Sequence, residues 1–397
     1  MSQPAARPVA VGAAGVVAVF LVAACLRPAI TSVGPLLDLI GADTGLSNTL
    51  LGLLSSLPLL AFAAVSPLVH VPARRFGAER VIVWSLAGLS VGILVRSVPS
   101  LATLWLGTLV LGAAIAVGNV LLPAVVRRDF ASHAALVVGG YSAVLGTAAA
   151  IASGVALPLA SAAGDGWRWS LVVWAVPAFA AAVVWVGFLH RRPAPRPAPD
   201  GAPQEEPAGA SVWRAASAWR ITAFMGLQST SFYVLISWLP AILTARHVSH
   251  AAAGWYLFAY QVVGILAGLG VPLVLRKLTR ETTAALASVP MVAACVGLVL
   301  APSLPALWVG LAGLSSGSTL VIVLSMLSLN AQSPGHAARL SGMAQSLGYL
   351  FAAGGPVVAG WLRDTTGSWS PSLVVLAVLA TVQAAVTLMR RREAASS

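Results

Sequence analysis

The sequence predicts an all-α polytopic membrane protein, with twelve transmembrane helices arranged as two six-helix pseudo-repeats. Three observations carry that reading. Hydrophobic residues make up 58% of the 397-residue chain, charged residues only 9%, and mean hydropathy is +0.90; a soluble domain carries roughly a quarter charged residues. The apolar residues gather into twelve runs of about membrane-spanning length. Short stretches of the first half also recur in the second at a nearly constant offset.

A membrane helix needs about 20 apolar residues. Cuts at polar, charged and Gly/Pro punctuation place helices at 9–40, 48–70, 81–96, 101–126, 134–160 and 170–189. A second set follows at 219–243, 253–275, 282–301, 305–329, 341–362 and 370–389. The first run is long and continues without a small-residue cleavage site, which is not the shape of a signal peptide. Between the sets, Pro193, Pro195, Pro197, Pro199, Pro203 and Pro207 alternate with Asp200, Glu205 and Glu206. That composition cannot bury a core and predicts an extended, mobile linker. The expected organisation is a six-helix half at 1–190, a Pro-rich cytoplasmic linker at 191–218, and a second half with a short tail at 219–397.

Charge sets the orientation. Eighteen basic residues fall on the side shared by the termini and the linker, and four (Arg96, Arg168, Arg246 and Arg363) fall opposite. The positive-inside rule then makes both termini and the linker cytoplasmic in a cell (inner) membrane protein. A net charge of +12 could suggest nucleic acid, but the basic residues are dispersed between apolar runs, so topology explains them and no nucleic acid partner is expected. Cys25 and Cys295 lie in apolar runs without ligand spacing, so neither a metal site nor a disulfide framework is indicated, and no cofactor is expected.

The halves repeat. Ser170 to Val173 matches Ser372 to Val375 at an offset of 202, with Trp167 falling on Trp369. Pro67-Leu68-Val69 matches Pro272-Leu273-Val274 at 205, and Pro35 matches Pro240 at the same offset. Parallel repeats with a site near the midplane are a transporter architecture. The repeat also locates Arg27, the remaining basic residue: adding 205 reaches Phe232, at the centre of the seventh run. A run of 32 residues spans about 48 Å at about 1.5 Å per residue, more than a roughly 30 Å core. Arg27 therefore falls near the midplane. An arginine cannot shed its proton to enter lipid, so it must face protein, water or an anion. The competing reading is a side chain that snorkels to the outer headgroups.

At this point the sequence resembles the major facilitator superfamily, in particular its cyanate and nitroimidazole permease branch. The resembling stretches are LRPAITSVGPLL at 26–37, LLSSLPLLAFA at 53–63 and GNVLLPAVVRRDF at 118–130. In the second half they are GLQSTSFYVLISWLPAIL at 226–243 and the long run from Leu340 to Trp369. The resemblance implies alternating access, with two halves rocking about a central cavity, in a chain expected to act as a monomer in the lipid bilayer. Two departures stand out. The family's loop after its second helix usually reads G-x-x-x-D-R-x-G-R; this chain keeps Arg75 and Gly77, with His70 for the first Gly and Arg74 for the Asp. The glycine-proline motif of the fifth helix in many drug antiporters is reduced to separate Gly154 and Pro158.

None of the eleven acids sits centrally in a span, and the six histidines fall at span ends or in loops. Arg27 thus has no intramembrane acid in view, which makes a bound anion an attractive partner. Mid-span polar residues on the helices that line the family's cavity are Asn119, Tyr141, Gln228, Tyr233, Gln261, Gln345 and Tyr349. Amides and phenols supply donors, acceptors and an aromatic wall for a small polar or planar solute; the same groups also glue helices together. Arg75 and Arg80, with Gly77 between them, are gating candidates that could pair with acids across the cytoplasmic face, or form a solvated topogenic face. Most of Trp167, Trp169, Trp238, Trp361 and Trp369 read as an interfacial belt.

The expectation is a secondary active transporter, not an enzyme, for a small anionic or acceptor-rich solute such as a cyanate-like anion or planar heterocycle. The alternatives are a proton-coupled drug or metabolite efflux antiporter and, further off, a membrane enzyme, which would need a His, Asp or Cys cluster that the sequence lacks. No stretch resembles a channel filter or charged ring.

Overall fold

An arginine-proline pair inside an apolar run breaks the helix that the run would otherwise form. The computed structural model describes residues 13–130, 133–162, 166–190, 212–329 and 334–395. In it the first span is α1 (Ala13–Cys25), α2 (Pro28–Thr31), a 3-10 turn (Gly34–Leu36) and α3 (Leu37–Thr44). The rest of the first half is α4 (Asn48–Val65), α5 (His70–Phe76), α6 (Ala78–Arg96), α7 (Leu101–Asp129), α8 (Ala134–Ala162), α9 (Gly166–Val172) and α10 (Ala175–His190). The second half is α11 (Ala216–Thr244), α12 (His250–Val274), α13 (Arg280–Leu300), α14 (Pro305–Leu329), α15 (Pro334–Thr366) and α16 (Ser370–Ala395). Among the described residues there is no strand. The predicted linker lies outside the described residues as far as 211, and α11 begins inside its predicted end.

The pseudo-repeat is visible in backbone and hydrogen bonds. Gly45 and His247, 202 residues apart, both adopt left-handed conformations, at φ 69° and 67°. Two residues later Ser47 and Ser249 each cap the next helix, accepting the amides of Leu50 and Ala252 at 3.3 Å. Ser170 donates to the Ala156 carbonyl at 2.7 Å, and its counterpart Ser372 to that of Ala359 at 3.1 Å. Packing repeats too. The pairs α1–α8, α6–α7 and α6–α10 in one half correspond to α11–α15, α13–α14 and α13–α16 in the other.

The halves meet along α4–α15 and α8–α12, with the 3-10 turn of the first span against α11. At the end away from the linker, this contact is backbone on backbone. A Cβ at Gly52 would overlap the Pro356 carbonyl, and one at Gly360 would overlap that of Asn48. Only glycine permits such an approach. The same end is clasped by Asp364, which accepts from the Asn48 amide (3.1 Å), Asn48 Nδ2 (2.7 Å), the Thr49 amide (2.8 Å) and Thr49 Oγ1 (2.6 Å). Asp364 thereby sits on the positive N-terminus of α4. Thr244 Oγ1 also donates to Asp38 across the halves at 3.3 Å.

Two sequence expectations change here. Trp238 is fully buried, donates to the Pro356 carbonyl at 2.9 Å and packs on Trp369 with ring centroids 4.9 Å apart. These rings plug the far end of the bundle, and Trp167 is buried as well, so only Trp169 and Trp361 keep the exposure an interfacial belt requires. Arg96, predicted at the end of the third span among the charges of the side opposite the linker, is the last residue of α6 and only 1% exposed. A charge at the tip of an apolar run reads as a loop residue until the neighbouring helices cover it.

Candidate functional site

The break in the first span places Arg27. Its carbonyl accepts the amides of Ile30 and Thr31 at 2.9 and 3.0 Å, starting the short α2, while the side chain leaves the helix axis into the bundle. There it borders a cavity of about 1200 Å³ between the halves. The cavity runs from Arg27 and Thr31 to Pro67, Trp213, Pro272 and Arg339, at the end of the bundle where α11 follows the linker. Arg27 Nη1 donates to the Tyr233 hydroxyl at 3.3 Å, and its buried Nε has no hydrogen-bond partner. No carboxylate pairs with Arg27 among the described residues.

Aromatic rings surround the arginine. Tyr233 meets Tyr349 edge-on with centroids 6.3 Å apart, Tyr349 meets Phe62 at 6.2 Å, and Phe232 meets Tyr233 at 5.1 Å. Edge-to-face rings at these separations form a stiff wall. Phe232 is the residue reached from Arg27 by the repeat, and it does line the cavity, while the adjacent Tyr233 accepts the hydrogen bond.

The other sequence candidates separate by position. Asn119, Tyr141, Gln345 and Tyr349 line the cavity, and Gln345 is exposed within it. Gln261 lines it and also ties the halves, donating to Ser153 at 2.8 Å, while Ser153 donates to the Thr31 carbonyl at 3.0 Å. Gln228 is buried within α11 away from the wall and accepts from Ser229 at 3.2 Å. Arg75 and Arg80 are exposed outside the cavity; Arg75 lies 5.1 Å over the Phe76 ring, and Gly77 between them has φ 87°. Neither arginine is paired with an acid among the described residues, and the acid of that loop, Glu79, pairs with Arg128.

Tyr260, Ser316, Ser341 and Ser346 also line the cavity without having been singled out from sequence. The serines carried no signal, being common in helix contacts, whereas Tyr260 could have been found as an aromatic beside Gln261. Among the described residues, eleven spans are long and apolar enough to cross a membrane; α15, the remaining one, is not among them. Its polar residues Ser341, Gln345, Ser346 and Tyr349 are those facing the cavity, which accounts for its lower hydropathy. The described wall carries two cations, Arg27 and Arg339, and no carboxylate or imidazole. A concave, low-dielectric wall of one sign concentrates the opposite charge.

Residues 19–356 match the family model described as Major Facilitator Superfamily. The chain is 38% identical over 376 residues to a 2-nitroimidazole transporter of Escherichia coli (strain K12), covering 94% of each sequence. It is 28% identical over 347 residues to a cyanate transport protein of the same organism, covering 87% of this chain and 88% of that one. Among solved structures, a bacterial homologue of the human lysosomal transporter Spinster, in its inward-facing and unoccupied conformation, superposes with a TM-score of 0.80 over 95% of this chain and 96% of its own, at 17% identity.

Proposed function

The chain belongs to the Major Facilitator Superfamily and is a multi-pass membrane transporter of a small molecule, and from that premise we propose that it carries a small planar solute that is anionic or rich in hydrogen-bond acceptors. The observation that carries this reading is Arg27, a cation inside the bundle with no acid partner among the described residues, set among Tyr233, Tyr349 and Phe62. A carboxylate, cyanate or nitro group accepting from the guanidinium fork would complete it, and the edge-on rings would hold a planar body. Asn119, Tyr141, Gln261 and Gln345 supply further donors and acceptors along the wall. Gln228 and Tyr233 act from behind it, Tyr233 by orienting Arg27.

Transport proceeds by alternating access across the cytoplasmic membrane, with the termini and the 191–218 linker on the cytoplasmic side. In that orientation the cavity is open inward and the Gly52–Pro356 and Asp364 contacts close the outside. The chain works as a monomer of two halves, 1–190 and 219–397, without a cofactor. Because the described wall holds no carboxylate or imidazole, this reading is favoured over proton-coupled drug efflux.

A ligand thermal-shift screen on purified protein tests the substrate class. Cyanate, benzoate and 2-nitroimidazole are expected to raise the midpoint in wild type, and benzamide to raise it much less. Equal shifts with benzoate and benzamide would reject an acceptor-selective site. The outer clasp is tested separately. Asp364→Ala is expected to shift the population about fivefold, about 1 kcal/mol, towards an open outer end. Distances between spin labels at Leu50 and Thr365 should lengthen; an unchanged distribution would remove Asp364 from the closure.

A further inference from the structure

Arg96 is a second buried cation, distinct from the solute cavity and unused by the transport reading. Its Nη1 donates to the Ala29 carbonyl at 2.7 Å. That carbonyl is free because Val33 turns its amide to Ile30 at 3.2 Å, a consequence of the same break that frees Arg27. The other edge of the guanidinium, Nε and Nη2, is buried and without any partner. On that edge the two N–H bonds run parallel and can converge on one acceptor.

Arg96 lines a small cavity of about 20 Å³. Its polar wall is Arg96, Ser55 and Thr108, and apolar residues such as Val33, Leu54 and Leu104 complete it. Ser55 Oγ is also buried without a partner, whereas Thr108 Oγ1 is committed to the Leu104 carbonyl at 2.7 Å. Three unsatisfied polar atoms thus belong to residues that line a space of the size of one monoatomic ion or one water. No carboxylate pairs with Arg96 among the described residues. A water would satisfy the hydrogen bonds and leave the buried charge uncompensated, which is the costlier part of the deficit.

We propose that this cavity is a halide site in which one chloride is held by Arg96 Nε and Nη2 and by the Ser55 hydroxyl. The bound ion fixes Arg96 against Ala29 and so steadies the bend that presents Arg27.

Thermal unfolding of the purified full chain tests this in sodium chloride, sodium bromide and sodium gluconate at equal ionic strength. Chloride and bromide are expected to raise the midpoint by about 2 °C or more over gluconate, saturably. The difference should shrink in Ser55→Ala, vanish in Arg96→Gln and persist in Arg27→Gln. Bromide-soaked crystals of the wild type should show an anomalous peak beside Arg96, a readout that stands even if Arg96→Gln does not fold. No halide dependence in wild type, a dependence that survives in Arg96→Gln, or one lost only in Arg27→Gln would overturn the site. So would an anomalous map without a peak in this cavity, the signature of a water alone.

Discussion

Arg27→Gln is expected to weaken binding of an anionic planar ligand by roughly 10–100-fold while leaving a neutral analogue almost unaffected. Hydrogen bonds to a charged group contribute about 1.5–3 kcal/mol, and each 1.4 kcal/mol is about tenfold in affinity. The substitution leaves no buried acid orphaned, because none pairs with Arg27 among the described residues. Its cost should therefore fall on the ligand rather than on the fold. The Tyr233 hydroxyl loses a 3.3 Å donor, a small effect that glutamine can partly replace. Arg27→Lys should recover part of the affinity, since it keeps the charge and loses the planar fork. Titration calorimetry with benzoate and benzamide checks the difference; parallel loss of both ligands would show that Arg27 shapes the cavity without recognising charge.

Gly52→Val is expected to reduce transport by more than about tenfold without unfolding the protein. A side chain there meets the Pro356 carbonyl, which is backbone and cannot rotate away. Overpacking of this kind costs about 1–3 kcal/mol in a fixed interface. Gly52 serves the contact between halves rather than the packing within one, so the strain is relieved when the outer end opens. Spin labels at Leu50 and Thr365 should report an outer end held apart even without ligand. Wild-type transport by Gly52→Val would mean that α4 and α15 do not approach this closely during turnover.

Much of this arrangement is legible in the sequence because a bilayer constrains it strongly. Apolar runs, loop charge and a duplicated pattern are enough to place twelve helices and to bring Arg27 near Phe232. The break at Arg27-Pro28 is also readable, although the extra 3-10 turn at Gly34–Leu36 is not. What the sequence conceals depends on which neighbours cover a residue. Arg96 has the pattern of a loop charge, and its burial is decided by packing against the bent first span. Trp238 and Trp369 have the pattern of interfacial anchors and instead pack against each other, buried at the end of the bundle away from the linker. Gln228 and Gln345 are equally polar and equally mid-span, yet only Gln345 reaches the cavity, because rotation of a helix about its axis is set by its neighbours.

The account rests on a cavity alternately open to each side with Arg27 at its deep end, near the midplane. Counterflow in proteoliposomes tests that most directly. Vesicles preloaded with unlabelled benzoate, or with 2-nitroimidazole, and diluted into trace labelled compound should accumulate label transiently and saturably, and Arg27→Gln should abolish the benzoate overshoot. Flux that ignores the preload, or a wild-type overshoot in Arg27→Gln, would contradict it.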